Sequence, residues 1–94
     1  MKKYSEESVK SKLKELNEWR YIDNKIEKKF KFLDFSEALA FIVRIGLLAE
    51  KSNHHPEFFN VFNTVIIRLT THDANGVTDK DIDLATNIEK ILFT

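Results

Sequence analysis

The sequence predicts an α+β fold in the order α-β-β-α-β-β-α, a four-stranded antiparallel sheet with helices packed on one face. Three observations predict it. Apolar residues recur at helical spacing near the start, in the middle and at the end of the chain. Between them lie two pairs of strand-like stretches, the first pair broken at Asp23-Asn24, a turn dipeptide. The central helical stretch is apolar over most of its circumference, so it must be covered on more than one side, and one cover is a sheet.

Ser5 is placed to cap the first helix, with Glu6 and Glu7 in its positive first turn. Val9, Leu13 and Leu16 set its buried side, and the helix is expected to end near Asn17. Lys10, Lys12 and Lys14 form its solvated face. Trp19-Arg20-Tyr21-Ile22 reads as the first strand. In the second, Ile26, Lys28, Phe30 and Phe32 alternate with Glu27, Lys29 and Lys31, a period of two with a water-facing side. Asp34 or Ser36 caps the central helix, roughly residues 36–53. Its polar stripe is narrow, Glu37, Arg44 and Lys51; Leu39, Phe41, Ile42, Val43, Ile45, Leu47 and Leu48 fill the rest. Gly46 costs about 1 kcal/mol against alanine in mid-helix, and close approach of another backbone, at the sheet or across a subunit contact, is its expected use. Residues 58–63 and 65–71 read as the third and fourth strands, and His72 is expected to share a face with Ile66, Arg68 and Thr70. Asp73-Ala74-Asn75-Gly76 is a loop in which glycine is free to take positive φ. Thr78 and Asp81 form a capping box for the last helix, whose buried side is Ile82, Ala85, Ile88, Ile91 and Leu92.

Ninety-four residues are read as a single domain spanning 1–94. A chain this short buries only about 60–65% of its unfolded surface, so sharing apolar surface with other subunits would help. Fifteen basic and fifteen acidic residues give no net charge, which argues against a general nucleic-acid binder. Without cysteine there are neither disulfides nor thiolate metal sites. Residues 38–49, the most apolar run, are too few to cross a membrane and include Arg44. Met1-Lys2-Lys3 leads into polar residues rather than an apolar stretch, so no secretory signal is expected and a cytoplasmic location is.

The chemistry concentrates between Glu50 and Asp81. All three histidines, His54, His55 and His72, and the one proline, Pro56, fall there. Pro56 cannot continue a helix and pushes His55 toward extended geometry, so the central helix should stop near Asn53. His54 then sits at the helix C-terminus, whose partial negative charge favours a cationic imidazole. Histidine is the side chain suited to proton transfer near neutral pH.

These residues resemble the pterin-4a-carbinolamine dehydratase family. Its pattern is an acidic residue, three residues, His-His-Pro, five residues, an aromatic, nine residues, a His and then an Asp. Here that reads Glu50, His54-His55-Pro56, Phe62, His72 and Asp81. The resemblance extends from about Ser36 to the C-terminus and more loosely over the first third. It implies the fold above, a homodimer or homotetramer, and loss of water from a 4a-hydroxytetrahydropterin to give the quinonoid dihydropterin. It assigns His54 and His72 to the two proton transfers and His55 mainly to substrate positioning. It places substrate contacts on Asn53-His54-His55 and on Thr70-Thr71-His72-Asp73. The pterin is the substrate, and neither cofactor nor metal is implied. The resemblance leaves two pterins open: the biopterin-type cofactor of an aromatic amino-acid hydroxylase, which implies a functional link to that hydroxylase, or another pterin altogether.

Three positions depart from the family's common residues: Asn53 stands where many relatives have Asp, and Phe58 and Phe62 where Trp and Tyr are common. Glu50 lies one helical turn before His54 and is expected either to orient that imidazole or to form a plain surface pair. Asp81 supports the site or serves only its capping box, and Pro56 only sets the geometry of His55. A metal site of Glu50, His54, His55 and His72 is the weaker chemistry, since adjacent histidines rarely reach one ion. A non-catalytic alternative is a binding module: animal relatives serve as dimerisation cofactors for a homeodomain transcription factor, and the apolar central helix is the matching surface here.

Overall fold

The computed structural model describes residues 2–92. Its elements run α1 (Glu6–Leu13), β1 (Arg20–Ile22), β2 (Lys25–Lys31), α2 (Phe35–Ser52), β3 (Glu57–Val61), β4 (Thr64–Leu69), a 3-10 turn (His72–Ala74) and α3 (Asp79–Leu92). The expected α+β order is the observed one. The strands lie in the order β1-β2-β4-β3, every pair antiparallel.

Register decides which face is covered. Ile26 pairs with Leu69, Lys28 with Ile67 and Phe30 with Val65, and all six are buried. Val9 and Leu13 of α1, Phe41 and Ile45 of α2, and Leu84 and Ile88 of α3 complete this core. The alternate residues, Glu27, Lys29 and Arg68 among them, face outward, as the period of two requires. Asp23 and Asn24 both take positive φ (50° and 65°), the geometry that lets a two-residue hairpin follow the sheet twist.

Several boundaries differ from the sequence reading. α1 ends at Leu13 rather than near Asn17, because the chain tightens there and then reverses through Glu18 at φ 65° to enter β1; Leu16 is buried all the same. Asp34, not Ser36, caps α2: its carboxylate accepts the Glu37 N–H at 2.9 Å. β3 stops at Val61 because Phe62-Asn63 makes the turn to β4. β4 stops at Leu69, and Thr71 leaves the ladder to bridge Gly76. His72 therefore opens the 3-10 turn instead of sharing a strand face with Arg68 and Thr70. The left-handed residue of that loop is Asn75, at φ 57°, not Gly76. Gly76 leaves room for a neighbour: a Cβ there would lie 2.8 Å from the Lys3 side chain, which runs across it and would have to shift. A Cβ on Gly46 would meet nothing beyond its own stretch of α2 within 4 Å, so close approach to the sheet is not its use.

On the open face Glu27 accepts from Arg68 at 2.6 Å and from Arg20 at 3.2 Å. The Arg68 hydrogen bond is the main cause that holds Glu27 below its ordinary 4.5, against burial, which opposes it, and with help from Arg20. A carboxylate depressed in the fold stabilises it above the unfolded value, and that contribution is lost as pH falls through the lower native value. Glu27→Gln should therefore cost about 0.5–1 kcal/mol at pH 7. Urea titrations should show the gap to wild type closing as the solution is acidified below the ordinary glutamate range.

Candidate active site

The site begins where α2 ends. Asn53 takes the left-handed conformation (φ 51°, ψ 41°). Its N–H donates to the Glu50 carbonyl at 3.2 Å, and the His54 N–H reaches back to the Ala49 carbonyl at 3.1 Å. This pair of bonds is a Schellman closure, and asparagine is among the few non-glycine residues that accept its left-handed step readily. Pro56 then leads into β3, so His54 and His55 lie on a short link between two rigid elements.

That closure overturns one expectation. Spacing put Glu50 on the face of His54, but the left-handed residue between them ends the helical register before His54 is reached. Glu50 Oε1 instead meets His55 Nε2 at 2.8 Å, and both groups are exposed. His54 turns inward. Its Nε2 lies 2.6 Å from Asp81 Oδ1, with the histidine side chain 11% exposed and Asp81 fully buried.

Asp81 is held on its other oxygen. Oδ2 accepts the Thr78 N–H at 2.9 Å and the Thr71 hydroxyl at 2.8 Å. The first bond is the carboxylate half of the expected capping box; the Thr78 hydroxyl caps the helix by accepting the Lys80 N–H at 3.2 Å, while the Asp81 N–H donates to the Thr78 carbonyl. Asp81 thus caps α3 and meets a histidine with one carboxylate. Thr71, expected among the substrate contacts, has its hydroxyl committed to this buried network.

Above it is a hollow of about 480 Å³, within the roughly 300–1,000 Å³ typical of small-ligand sites. Asn53, His54, His55 and Pro56 line one side. Thr70, Thr71, His72 and Asp73 line the other, so all three histidines border the same space. Phe62 lies at the far end of β3 and does not border it. Two lining residues were not singled out from sequence, Glu57 and Lys80. The Thr78–Asp81 capping box marks where α3 starts, but no local pattern brings that start, and with it Lys80, beside the histidines. Among the described residues no group of three or more His, Cys, Asp or Glu could hold a metal ion. A larger hollow of about 710 Å³ on the open sheet face is bordered by Arg20, Glu27, Lys29 and Lys31. No histidine borders it, and its charges are the water-facing half of the sheet pattern.

Fold and hollow together define a small α+β protein with three imidazoles around one polar hollow of small-ligand size. The chain belongs to the pterin 4 alpha carbinolamine dehydratase family, whose sequence model matches residues 2–91. It is 44% identical over 89 residues to a protein of Solibacter usitatus, covering 95% of this chain and 94% of that one. It is 47% identical over 92 residues to one of Christiangramia forsetii, covering 98% and 95%. Both are named "Putative pterin-4-alpha-carbinolamine dehydratase". Among solved structures, the transcriptional coactivator/pterin dehydratase from Brucella melitensis superposes with a TM-score of 0.90 at 41% identity, over 95% of this chain and 97% of that one.

The pairing makes a direct prediction. Glu50→Ala should shift the ring NMR signals of His55 and leave those of His54 in place. Its effect on stability should stay within about 0.5 kcal/mol, as for most exposed ion pairs.

Proposed function

We propose that this chain is a 4a-hydroxytetrahydropterin dehydratase, eliminating water to give the quinonoid dihydropterin and so supporting tetrahydrobiopterin recycling. The observation that carries the reading is the convergence of His54, His55 and His72 on one hollow of small-ligand size. Membership of the family supplies the substrate class.

The elimination makes three chemical demands. The hydroxyl on C4a must be protonated, because hydroxide is a poor leaving group. A proton must leave the ring nitrogen as the C=N bond forms. The flat bicycle must be held still while both happen. His54 and His72 carry the two proton transfers, one giving and one taking. His55, oriented by Glu50, positions the ring, and Asn53, Thr70 and Asp73 offer polar contacts along the rim. Thr71 and Pro56 shape the wall, and Asp81 supports His54 from below. The elimination is a proton-transfer reaction, so the reading takes no cofactor and no metal; the pterin is the substrate.

The test follows dehydration of chemically prepared 4a-hydroxytetrahydropterin by absorbance. His54→Ala and His72→Ala should each lose about 10²–10⁴-fold in kcat, the usual worth of a positioned acid or base. His55→Ala should act mainly on KM. Three correctly folded variants that all match wild type would sink the assignment.

The reading includes a homodimer or homotetramer, acting in the cytoplasm beside an aromatic amino-acid hydroxylase. Support for assembly comes from α2. Phe35, Leu39, Val43 and Leu47 recur every fourth residue on one face and are exposed, Leu47 to 69%. Gly46 lies beside them with open space over it, room for a second backbone. No helix among the described residues is long and apolar enough to cross a membrane. The Brucella protein is described as a coactivator as well as a dehydratase, which gives a second reading in which this stripe receives a different protein. Light scattering should show a homo-oligomer that survives dilution, and Leu47→Asp should lower its mass. A wild-type monomer would favour the second reading.

A further inference from the structure

His54 borders the hollow, yet one of its two ring nitrogens is already taken. Nε2 faces Asp81 at 2.6 Å, and Asp81 is fully buried. Which atom carries the hydrogen there follows from a count of donors around the carboxylate. Oδ2 accepts a backbone N–H from Thr78 and the single hydroxyl hydrogen of Thr71. Thr71 Oγ1 also lies 2.7 Å from Thr78 Oγ1. Its only hydrogen is spent on Asp81, so Thr78 must donate to Thr71. Thr78 Oγ1 in turn accepts the Lys80 N–H. Every bond in the chain runs one way, from the start of α3 through two hydroxyls into the carboxylate. A carboxylate fed by two donors on one oxygen is an acceptor on the other, and the remaining donor is His54 Nε2–H.

We infer that Thr78 and Thr71, acting through Asp81, fix His54 as its Nε2-protonated tautomer and leave Nδ1 as the atom that exchanges the catalytic proton. This deepens the dehydratase reading and rests on it for the word catalytic. In the acid role, cationic His54 gives its Nδ1 hydrogen to the leaving hydroxyl, the C–O electron pair departs with water, and the ring becomes neutral. In the base role, the Nδ1 lone pair takes the hydrogen from the pterin nitrogen. In both, Nε2 keeps its hydrogen. Thr78 does not border the hollow, so it is a positioning residue, its hydroxyl three hydrogen bonds away from the imidazole by way of Thr71 and Asp81.

Asp81→Asn gives a sharp test, because the network dictates how the amide must turn. Thr78 N–H and Thr71 O–H both require an acceptor, so the amide oxygen takes the Oδ2 position. Its NH2 then faces His54 and can only donate. Nε2 becomes the acceptor and the hydrogen moves to Nδ1. Nitrogen-15 NMR of the full-length protein, at a pH where the ring is neutral, should show Nε2–H in wild type and Nδ1–H in Asp81→Asn. With the wrong tautomer, kcat should fall on the order of 10²–10⁴-fold, the scale seen when an analogous carboxylate-to-amide change misplaces a catalytic histidine's proton. Thr78→Val should lower kcat about tenfold with little change in KM, and Thr78→Ser should restore it, since Thr71 loses the hydroxyl donor that keeps its own hydrogen directed at Asp81 while the Thr78 N–H stays on the carboxylate.

A wild-type spectrum with the hydrogen on Nδ1, or an Asp81→Asn spectrum unchanged from wild type, overturns the inference. If Asp81→Asn does not fold, the wild-type spectrum alone decides the tautomer. The spectra need no turnover. An inactive wild type with Nε2–H would therefore remove the dehydratase reading and leave the tautomer assignment standing, while an active wild type with Nδ1–H would do the reverse.

Discussion

A fully buried carboxylate, Asp81, is the constraint on which the rest of this structure depends. Taking a carboxylate out of water costs several kcal/mol unless donors replace the lost hydration. Here the replacements come from three places in the chain: the start of α3, the segment just after β4, and the turn that ends α2. The need to satisfy one side chain therefore draws those three together. They are also the segments that border the hollow. Site and fold are one arrangement: the sheet cannot dock α3 correctly without bringing His54 beside the residues on the opposite wall.

A second carboxylate does the same for the other end of α3. Glu89 Oε2 accepts the Trp19 indole N–H at 2.9 Å and the Lys28 ammonium at 2.8 Å. Lys28 is only 7% exposed and lies over the Phe30 ring, 4.9 Å from its centroid. Losing one partner of such a buried pair is far costlier than losing an exposed one, because the other charge is left without compensation. With Asp81 near its first turn and Glu89 near its last, α3 is pinned across the sheet at both ends. Apolar packing alone would tolerate small slides of a helix on a sheet. Two directional contacts eight positions apart on one helix do not, and the precision of the hollow comes from that.

Much of this was legible in the sequence, for reasons that can be named. The period of two in β2 put Lys28 on the apolar side with Ile26 and Phe30, where it is found. Pro56 stopped α2 where expected, and the Thr78–Asp81 spacing announced the cap of α3. Local rules read local geometry well. They failed where one residue changed the direction of the chain. The i,i+4 rule linked Glu50 to His54, but it holds only while the backbone stays helical, and Asn53 leaves that conformation between them. Spacing likewise extended β4 to Thr71, but the ladder ends at Ile26–Leu69, near the start of β2, and Thr71 bridges Gly76 with its hydroxyl on Asp81. The His54–Asp81 contact spans 27 positions and no local pattern encodes it.

The three imidazoles meet different surroundings, and the difference bears on how the chemistry is divided. His54 is nearly buried and locked to a buried carboxylate. His55 is exposed and paired with an exposed one. His72 is exposed on a short 3-10 turn, with no side-chain hydrogen bond among the described residues. An elimination that moves one proton on and one proton off gains from unlike partners. One should be fixed, so that its reacting atom is set in advance, and one should be free to exchange with water between turnovers. In the proposed dehydratase, burial would supply the first through His54 and exposure the second through His72. The pair that looks symmetric in the sequence, His54 and His55, is divided by one left-handed residue into an inward group and an outward one.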